Sequence, residues 1–330
     1  MKPPILEIYR PGSNFHIRAY PESPQVAKVF NVRKVKQLSG KADLVYVDSR
    51  LTTVQNYTRP YAVLVGGNWW WELKGQTDRL ERVVGVLRRA KVLICLSEFL
   101  AKYVEKRVCG KNTVALPGGL WGAGHVGFKV NPNRFVRKAD YKIEARRPVI
   151  VMGINLVGDI KYEGIPIFLE AVKAVLKKHN ARVICSGRMM GKRKLVAAWA
   201  KQYGLEFVNW HRSPDFVEGL GDTKWPKLLS SADVFVHPSM WDAWGCVVAD
   251  AMYSAVPTMV FEGHGSEEVG DTTIKLNPKD ASYMAESLDH LLTWEGERKS
   301  LGEKHRAEAM TKTKIHRNDF RDILLKAVQK

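Results

Sequence analysis

The sequence contains few cysteines, and no two of them have the spacing of a metal-binding or disulfide pair. Cys95, Cys109, Cys185 and Cys246 stand singly in apolar surroundings, and no CxxC pair occurs. Structural zinc sites and disulfide frameworks need clustered or regularly spaced cysteines, so neither organises this chain. We expect reduced, buried thiols in a cytoplasmic protein.

Long apolar runs are also missing. No stretch approaches the ~18–20 apolar residues that a membrane-spanning helix needs. The opening MKPPILEIYRPG indicates a first strand and its turn, not a signal peptide. A content of 45% hydrophobic and 26% charged residues is typical of globular proteins and excludes a disordered chain. We therefore expect a soluble, cytoplasmic protein whose contact with a membrane, if any, is peripheral.

Acidic residues are scarce in only one half of the chain. Residues 1–147 contain 27 Lys and Arg against 11 Asp and Glu, a net charge of +16, whereas the remaining residues carry +2. A proteome-wide bias would affect both halves, so the asymmetry indicates that the first half meets a polyanionic partner. An anionic lipid surface and nucleic acid both fit, and a merely solvated surface is the alternative.

Short Val-, Ile- and Leu-rich runs alternate with longer amphipathic segments, which is the pattern of a parallel α/β sheet. A chain of 330 residues exceeds the size of one ordinary core. We therefore predict an α/β protein of two Rossmann-like domains that face a central cleft. The predicted limits are residues 1–146 for a basic N-terminal domain, 147–310 for a C-terminal domain, and 311–330 for a C-terminal helix packing back on the first domain.

The same patterns predict the individual elements. Strands are predicted at residues 5–9, 44–47, 62–65, 92–96, 113–116, 149–152, 181–186, 206–208, 234–237, 258–261 and 273–275. Helices are predicted at residues 78–89, 98–108, 164–179, 192–203, 224–230, 245–254, 281–294 and 317–328. The polar, basic stretch 129–147 is the predicted linker.

The most informative stretch is 237–257, HPSMWDAWGCVVADAMYSAVP. A buried strand runs into a Pro-Ser turn, then Asp242, then Gly245, which opens a helix. Backbone N–H groups of Gly245 and Cys246, free at the start of that helix, suit an anion. Asp250, one turn into the helix, suits a ribose-like diol, and Asp242 a second sugar. A capped helix with surface acids is the plain structural alternative.

This stretch resembles the donor-site motif of the retaining glycosyltransferases of family 4, which have the GT-B fold. The family shows Pro-Ser, a glutamate, seven residues, a second glutamate, and then Ala-Met-Ala-x-Gly-x-Pro. Here Asp242, seven residues and Asp250 are followed by Ala251-Met252 and Pro257. Between residues 90 and 295 further landmarks agree in register: Ser97–Leu100, Leu116–Gly119, Gly263–Glu268 and Leu276–Asp280.

The resemblance implies Asp242, Lys161 and Arg188 as the catalytic set, with departures from the family pattern. Both family glutamates are aspartates here, each shorter by one methylene, so the donor must lie closer or be held through water. The family's Lys-Gly pair, which grips the donor diphosphate, appears as Lys161-Tyr-Glu-Gly, so Lys161 has to reach in from two residues further upstream. Arg188 is the second phosphate cation. For Lys161 and Arg188, plain surface charge is the alternative.

Other site residues follow from the same resemblance. The implied donor-binding residues are Gly12, Gly245, Cys246, Asp250 and Glu268. On the acceptor side it points to Asn68, Trp69 and His16. Asn68 follows a strand where the family has a histidine, and an amide cannot act as a base. Core packing is the alternative for Trp69 and its two tryptophan neighbours, and a structural or surface position is the alternative for His16.

The resemblance implies transfer of a hexose from a UDP- or GDP-sugar with retention of anomeric configuration. It implies no metal and no cofactor besides the donor, because fixed cations and helix amides stabilise the leaving diphosphate. The basic first domain would bind the acceptor, a membrane-associated lipid or glycan. Two alternatives stay open: glycosylation of modified DNA bases, and a degenerate, non-catalytic GT-B protein that binds nucleic acid or a partner.

Overall fold

A computed structural model of the chain comprises two compact units. One unit contains residues 1–129 and 312–330, and the other contains residues 130–311. The residues that the structure describes are 2–9, 23–47, 54–65, 76–108, 112–116, 147–153, 164–187, 198–199, 201–204, 206–209 and 224–329.

The first unit is built on a six-stranded parallel sheet. Its strands are β1 (Ile5–Tyr9), β2 (Asn31–Val35), β3 (Leu44–Val47), β4 (Tyr61–Val65), β5 (Val92–Cys95) and β6 (Thr113–Ala115), in the order β2-β1-β3-β4-β5-β6. Its helices are α1 (Pro24–Ala27), α2 (Thr77–Arg89) and α3 (Glu98–Val108). Strands β3, β4 and β5 are buried along their whole length, as expected for a parallel sheet covered on both faces.

The second unit has a six-stranded parallel sheet of its own. Its strands are β7 (Val149–Gly153), β8 (Arg182–Gly187), β9 (Glu206–Asn209), β10 (Val234–His237), β11 (Thr258–Phe261) and β12 (Ile274–Leu276), in the order β12-β11-β10-β7-β8-β9. Its helices are α4 (Gly164–Val175), α5 (Lys224–Ser231), α6 (Cys246–Tyr253) and α7 (Ala281–Thr293). The order reverses between β7 and β10, which makes their carboxyl ends the topological switch point of this sheet.

The prediction of two parallel α/β sheets is confirmed, with three differences among the described elements. The short helix α1 was not predicted. The polar edge strand β2, sequence NVRKV, was not predicted, because its charged, mostly exposed side chains give no buried pattern. The helix predicted at 317–328 is the end of a much longer one, α8 (Glu295–Gln329). No proline interrupts that segment, so one helix continues from the second unit into the first.

The last part of α8 packs on the first unit's sheet. The ring of Phe320, 1% exposed, meets the ring of Tyr46 in β3 edge-on, with ring centroids 5.7 Å apart. Edge-to-face contact is a favoured geometry for buried aromatic rings.

Within the described residues, no helix is both long and apolar enough to cross a bilayer.

The first part of α8 packs on the end of α6 in the second unit. Gly302, His305, Arg306 and Ala309 are spaced i, i+3, i+4 and i+7, so they share one helix face. The Ala309 carbonyl accepts a hydrogen bond from the Tyr253 hydroxyl at 3.4 Å, and Arg306 Nη1 donates to the Tyr253 carbonyl. This face therefore holds the carboxyl end of α6 in place.

His305 is a fully buried, titratable member of that face. Its Nε2 lies 2.8 Å from the Thr272 carbonyl and its Nδ1 lies 3.3 Å from the Val256 carbonyl. Burial lowers the pKa of His305 below its usual range, an effect that the two carbonyls only partly offset. Burial therefore disfavours the charged ring in the folded protein, although only the charged ring has an N–H for each of the two carbonyls.

We expect this histidine to make the protein less stable in mild acid. Its pKa is lower in the folded than in the unfolded chain, so the unfolded chain binds more protons. The contribution to stability is complete above about pH 6.5, the ordinary histidine value, and is lost as pH falls through the folded pKa. Thermal midpoints at pH 7.5 and 5.5 test this. His305→Gln should show a smaller drop than wild type, and an equal drop would contradict the assignment.

Candidate functional site

The candidate site lies where β7 and β10 end, at the switch point of the second sheet. In open α/β sheets ligands bind in the crevice outside the carboxyl ends of the strands at such a point, because the loops leave there in opposite directions. β7 ends at Gly153 and β10 ends at His237. The predicted donor residues Asp242, Gly245 and Cys246 follow β10 directly, so the fold brings them to this edge.

His237 joins the two strand ends to the first predicted carboxylate. Its Nδ1 lies 2.6 Å from the Gly153 carbonyl oxygen, and its Nε2 lies 3.0 Å from Oδ2 of Asp242. The imidazole is 2% exposed and the Asp242 side chain 14%. The ring therefore holds the partly exposed carboxylate at this edge of the sheet.

Sequence reasoning missed His237 as a site residue. It was identified only as the last residue of a buried strand, although it stands directly before the Pro-Ser turn. A polar, titratable side chain at the carboxyl end of a central parallel strand is the signal that was available, because such ends meet at the ligand edge. Its partner Gly153 is 84 residues away, and no local pattern connects the two.

The turn that carries Asp242 is held by close backbone packing. The Gly265 amide donates to the Asp242 carbonyl at 2.9 Å, and the Ser239 hydroxyl donates to the Trp241 carbonyl at 2.9 Å. A Cβ on Gly265 would lie 2.2 Å from the Ala243 carbonyl oxygen, and one on Gly164 would lie 2.0 Å from the carbonyl oxygen of Pro238. No side chain fits at either glycine without moving the backbone.

The amino end of α6 has no side-chain cap. Its N-cap, Gly245, makes no side-chain hydrogen bond, and a Cβ there would lie 2.8 Å from Cγ2 of Val248. The Cys246 amide donates to the Trp244 carbonyl at 3.2 Å. The prediction of a free amide at Cys246 is therefore wrong, because the tight turn before the helix uses that N–H itself. The half-buried Cys246 thiol forms no disulfide.

The two predicted donor carboxylates differ in access. Asp250 is fully buried in α6, whereas part of the Asp242 side chain is exposed. The Asp250 carbonyl accepts from the Ser254 hydroxyl at 2.9 Å, which belongs to the ending of the helix. Contact between the Asp250 carboxylate and a ribose stays a prediction, and it requires α6 or the residues over it to open.

The turn between β11 and β12 holds the last predicted donor residue, Glu268. It is half-buried in a single 3-10 turn, Glu267–Val269. The neighbouring Glu267 carboxylate accepts from the Gly263 amide at 2.6 Å, where φ of +91° requires glycine. Lys275 Nζ donates to the Gly270 carbonyl and to Thr273 Oγ1, both at 2.7 Å, so this lysine supports the turn from within.

Six predicted site residues lie outside the described residues: Lys161, Arg188, Gly12, Asn68, Trp69 and His16.

Among the cysteines, Cys95 and Cys185 are buried and form no disulfide. Burial raises the pKa of Cys185 to about 12 and that of Cys95 further, so these thiols stay protonated and unreactive near neutrality.

Comparisons with known proteins cover the stretch that contains this candidate site. The sequence profile of the family described as "Glycosyl transferases group 1" matches residues 148–293, which include the whole Asp242 turn. Over 167 residues the chain is 29% identical to an uncharacterised glycosyltransferase of Methanocaldococcus jannaschii. That match covers 46% of this chain and 40% of the relative, so the chain spans less than half of the length of this curated relative.

Solved structures share the architecture over most of the chain. Sucrose-phosphate synthase from Thermosynechococcus elongatus is similar with a TM-score of 0.65 and 15% identity, covering 98% of this chain and 99% of that one. A glycosyltransferase from Rickettsia africae has a TM-score of 0.61 and 14% identity, covering 98% and 99%. A structure described as "Trehalose-6-phosphate from E. coli bound with UDP-2-fluoro glucose" has a TM-score of 0.62 and 15% identity, covering 87% and 73%. The fold is that of GT-B glycosyltransferases.

Proposed function

We propose that this chain is a glycosyltransferase of GT-B type that binds a UDP- or GDP-linked hexose at the carboxyl edge of the second sheet. The observation that carries the proposal is the Asp242 carboxylate, held by His237 at the switch point within the stretch that matches the glycosyltransferase profile. A structurally similar protein is described as bound with UDP-2-fluoro glucose, which supports a nucleotide sugar as the ligand class.

In this proposal three groups of residues bind the donor. Asp242 accepts hydrogen bonds from hydroxyls of the transferred hexose. Gly245 at the start of α6 lies beside the diphosphate, since it has no side chain in the way. Gly12 stays the second diphosphate contact that the family resemblance implies. Glu268 on the turn before β12, together with Asp250 once uncovered, binds the remaining hydroxyls of the nucleotide sugar.

The proposed reaction retains the anomeric configuration of the hexose. The bond from the anomeric carbon to the diphosphate breaks and a bond to an acceptor oxygen forms on the same face. Lys161, Arg188 and the amino end of α6 stabilise the negative charge that develops on the departing diphosphate. Fixed cations and amides would take the part that a metal ion has in other transferases.

The acceptor is proposed to meet the first unit, near Asn68, Trp69 and His16. Residues 24–42 contain five Lys and Arg and no Asp or Glu, and these five cations are all exposed around the edge strand β2. Such a surface attracts a polyanionic partner. A membrane-associated lipid or glycan is the proposed acceptor class, and transfer assays with lipid, glycan and DNA acceptors decide between this class and modified DNA bases.

A thermal-melting screen tests the donor site directly. UDP-glucose, GDP-mannose, ADP-glucose and the three free diphosphates are each added to the whole chain. A ligand present at 100 times its Kd stabilises the folded state by about 2.7 kcal/mol, so we expect one nucleotide to raise the midpoint by about 2–4 °C or more. Wild type should show this shift and Asp242→Asn should lose most of it.

The matched control is Asp289→Asn in the same unit. Asp289 also faces a histidine, with Oδ1 2.5 Å from Nε2 of His179, but His179 follows the far end of α4. This variant should keep the full nucleotide shift. If no nucleotide shifts the midpoint of wild type, the chain is not a nucleotide-sugar enzyme, and the non-catalytic alternative is preferred.

A further inference from the structure

A cavity of about 630 Å³ lies between α7 and the first part of α8, beside the edge strand β12. Its apolar lining is Ile274 from β12, Leu291 from α7 and Leu301 from α8. Strand β11 separates β12 from β10 in the sheet, so this cavity is not the crevice at the end of β10 that carries Asp242. Its volume is within the range of about 300–1,000 Å³ that is typical of small-molecule sites.

Two helix faces supply the rest of the lining. The α7 face consists of Tyr283, Glu286, Ser287 and His290. The α8 face consists of Glu297, Ser300, Leu301 and Lys304. Each set has the spacing i, i+3, i+4 and i+7, which places its members on one side of a helix. The two sides therefore face each other across the cavity.

Most polar side chains of this lining are available to a ligand. Within the lining, Nε2 of His290 lies 2.8 Å from Oε2 of Glu297. Five other side chains make no hydrogen bond or ion pair in the part of the chain that the structure describes: Tyr283, Glu286, Ser287, Ser300 and Lys304. The cavity thus combines an apolar surface with free donors and acceptors.

The charges in the cavity disfavour an anionic ligand. Glu286 and Glu297 contribute two negative charges and Lys304 one positive charge, and no arginine is among the described lining residues. A phosphate or a nucleotide needs an excess of cations, which this chain has at the edge strand β2 and not here. An acyl chain would cover the free polar groups without giving them hydrogen bonds. The ligand that matches is uncharged, rich in hydroxyl groups and apolar on one face.

We propose that this cavity is a second carbohydrate site, which binds an uncharged hexose unit of a glycan apart from the donor crevice. The ring of Tyr283, which is 45% exposed, packs against the C–H face of the sugar. Glu286 accepts hydrogen bonds from sugar hydroxyls and Lys304 donates to them, and such bonds to charged groups are the stronger ones. The site takes no part in sugar transfer, so it binds a glycan whether or not the chain is a transferase.

Titration of the whole chain with neutral trisaccharides tests this site. Maltotriose, cellotriose, mannotriose and galactotriose are each followed by calorimetry. We expect at least one of them to bind saturably with a Kd of about 1 mM, since the polar walls of the site stay exposed to solvent. Tyr283→Ala removes the ring and Glu286→Ala the carboxylate, and each should weaken binding at least about tenfold. Both side chains are exposed, so both variants should keep the wild-type fold.

Trp294→Ala and Glu303→Ala are the matched controls, because they remove an exposed ring and an exposed carboxylate that do not line the cavity. Both should bind the trisaccharide as wild type does, and so should Asp242→Asn. Tyr283→Ala should keep the nucleotide shift of the melting screen, so a failure of the proposed donor site is seen separately. Binding lost in Asp242→Asn but kept in Tyr283→Ala would place the sugar in the donor crevice and overturn the proposal. Absence of saturable binding of all four trisaccharides by wild type would overturn it as well.

Discussion

Replacing Gly265 by alanine is expected to lower the rate of sugar transfer about a hundredfold. The new Cβ would lie 2.2 Å from the Ala243 carbonyl oxygen and 2.7 Å from that of Asp242. Both obstacles are backbone atoms, so the turn itself has to move, and with it the Asp242 carboxylate. A misplacement of about 1 Å at a reacting centre is sufficient for a loss of about 10²-fold.

The measurement is kcat/KM for donor and acceptor, with the fold checked by circular dichroism. The Gly265 amide also donates to the Asp242 carbonyl at 2.9 Å, so the same shift weakens the turn that holds the site. Gly85→Ala in α2 is the matched control, because the nearest heavy atom to its new Cβ is Arg89 Nη1 at 3.8 Å. Wild-type activity in Gly265→Ala would show that the Asp242 turn does not form part of the catalytic site.

Gly302→Ala is expected to destabilise the protein by about 3 kcal/mol, the upper part of the range for overpacked sites. Its Cβ would meet the Ala255 carbonyl oxygen at 2.1 Å and the carbonyl carbon at 2.8 Å. These atoms belong to the turn after α6, which α8 contacts through the neighbouring His305 and Arg306. The variant therefore separates α8 from the helix that carries Asp250.

Gly296→Ala in the same helix is the comparison. No heavy atom lies within 4 Å of its added Cβ, so only helix propensity changes, in favour of alanine by up to about 1 kcal/mol. Thermal and urea midpoints of the two variants should move in opposite directions. Equal midpoints would mean that α8 does not pack on this turn in solution.

Ala255 has an unfavourable backbone conformation in this turn. It stands where the family motif has glycine, and its φ of +56° is the left-handed region that costs about 1–2 kcal/mol for a residue with a Cβ. Its 4% exposure shows that the methyl group is buried. The hydrogen bonds from α8 to the end of α6 contribute to holding this conformation.

Local signals in the sequence located most of the described helices and strands. Ser97 accepts a hydrogen bond from the Leu100 amide at 3.0 Å, and Asp280 accepts one from the Tyr283 amide at 2.8 Å. Both belong to landmarks of the resemblance, and both are helix N-caps, which act over three residues. Strands β10 and β11 were predicted with their observed limits, because uninterrupted apolar runs between turn residues mark buried parallel strands.

The sequence by itself determined the α/β class, the two sheets and the stretch that carries Asp242 and Asp250, because these depend on periodicity and on short spacing. Only the tertiary structure decided which groups meet. His237 reaches Gly153 across 84 residues, α8 covers the end of α6, and burial distinguishes the enclosed Asp250 from the accessible Asp242. Contacts of this kind are set by strand order and by the packing of distant helices, and neither leaves a periodic or local trace in the chain.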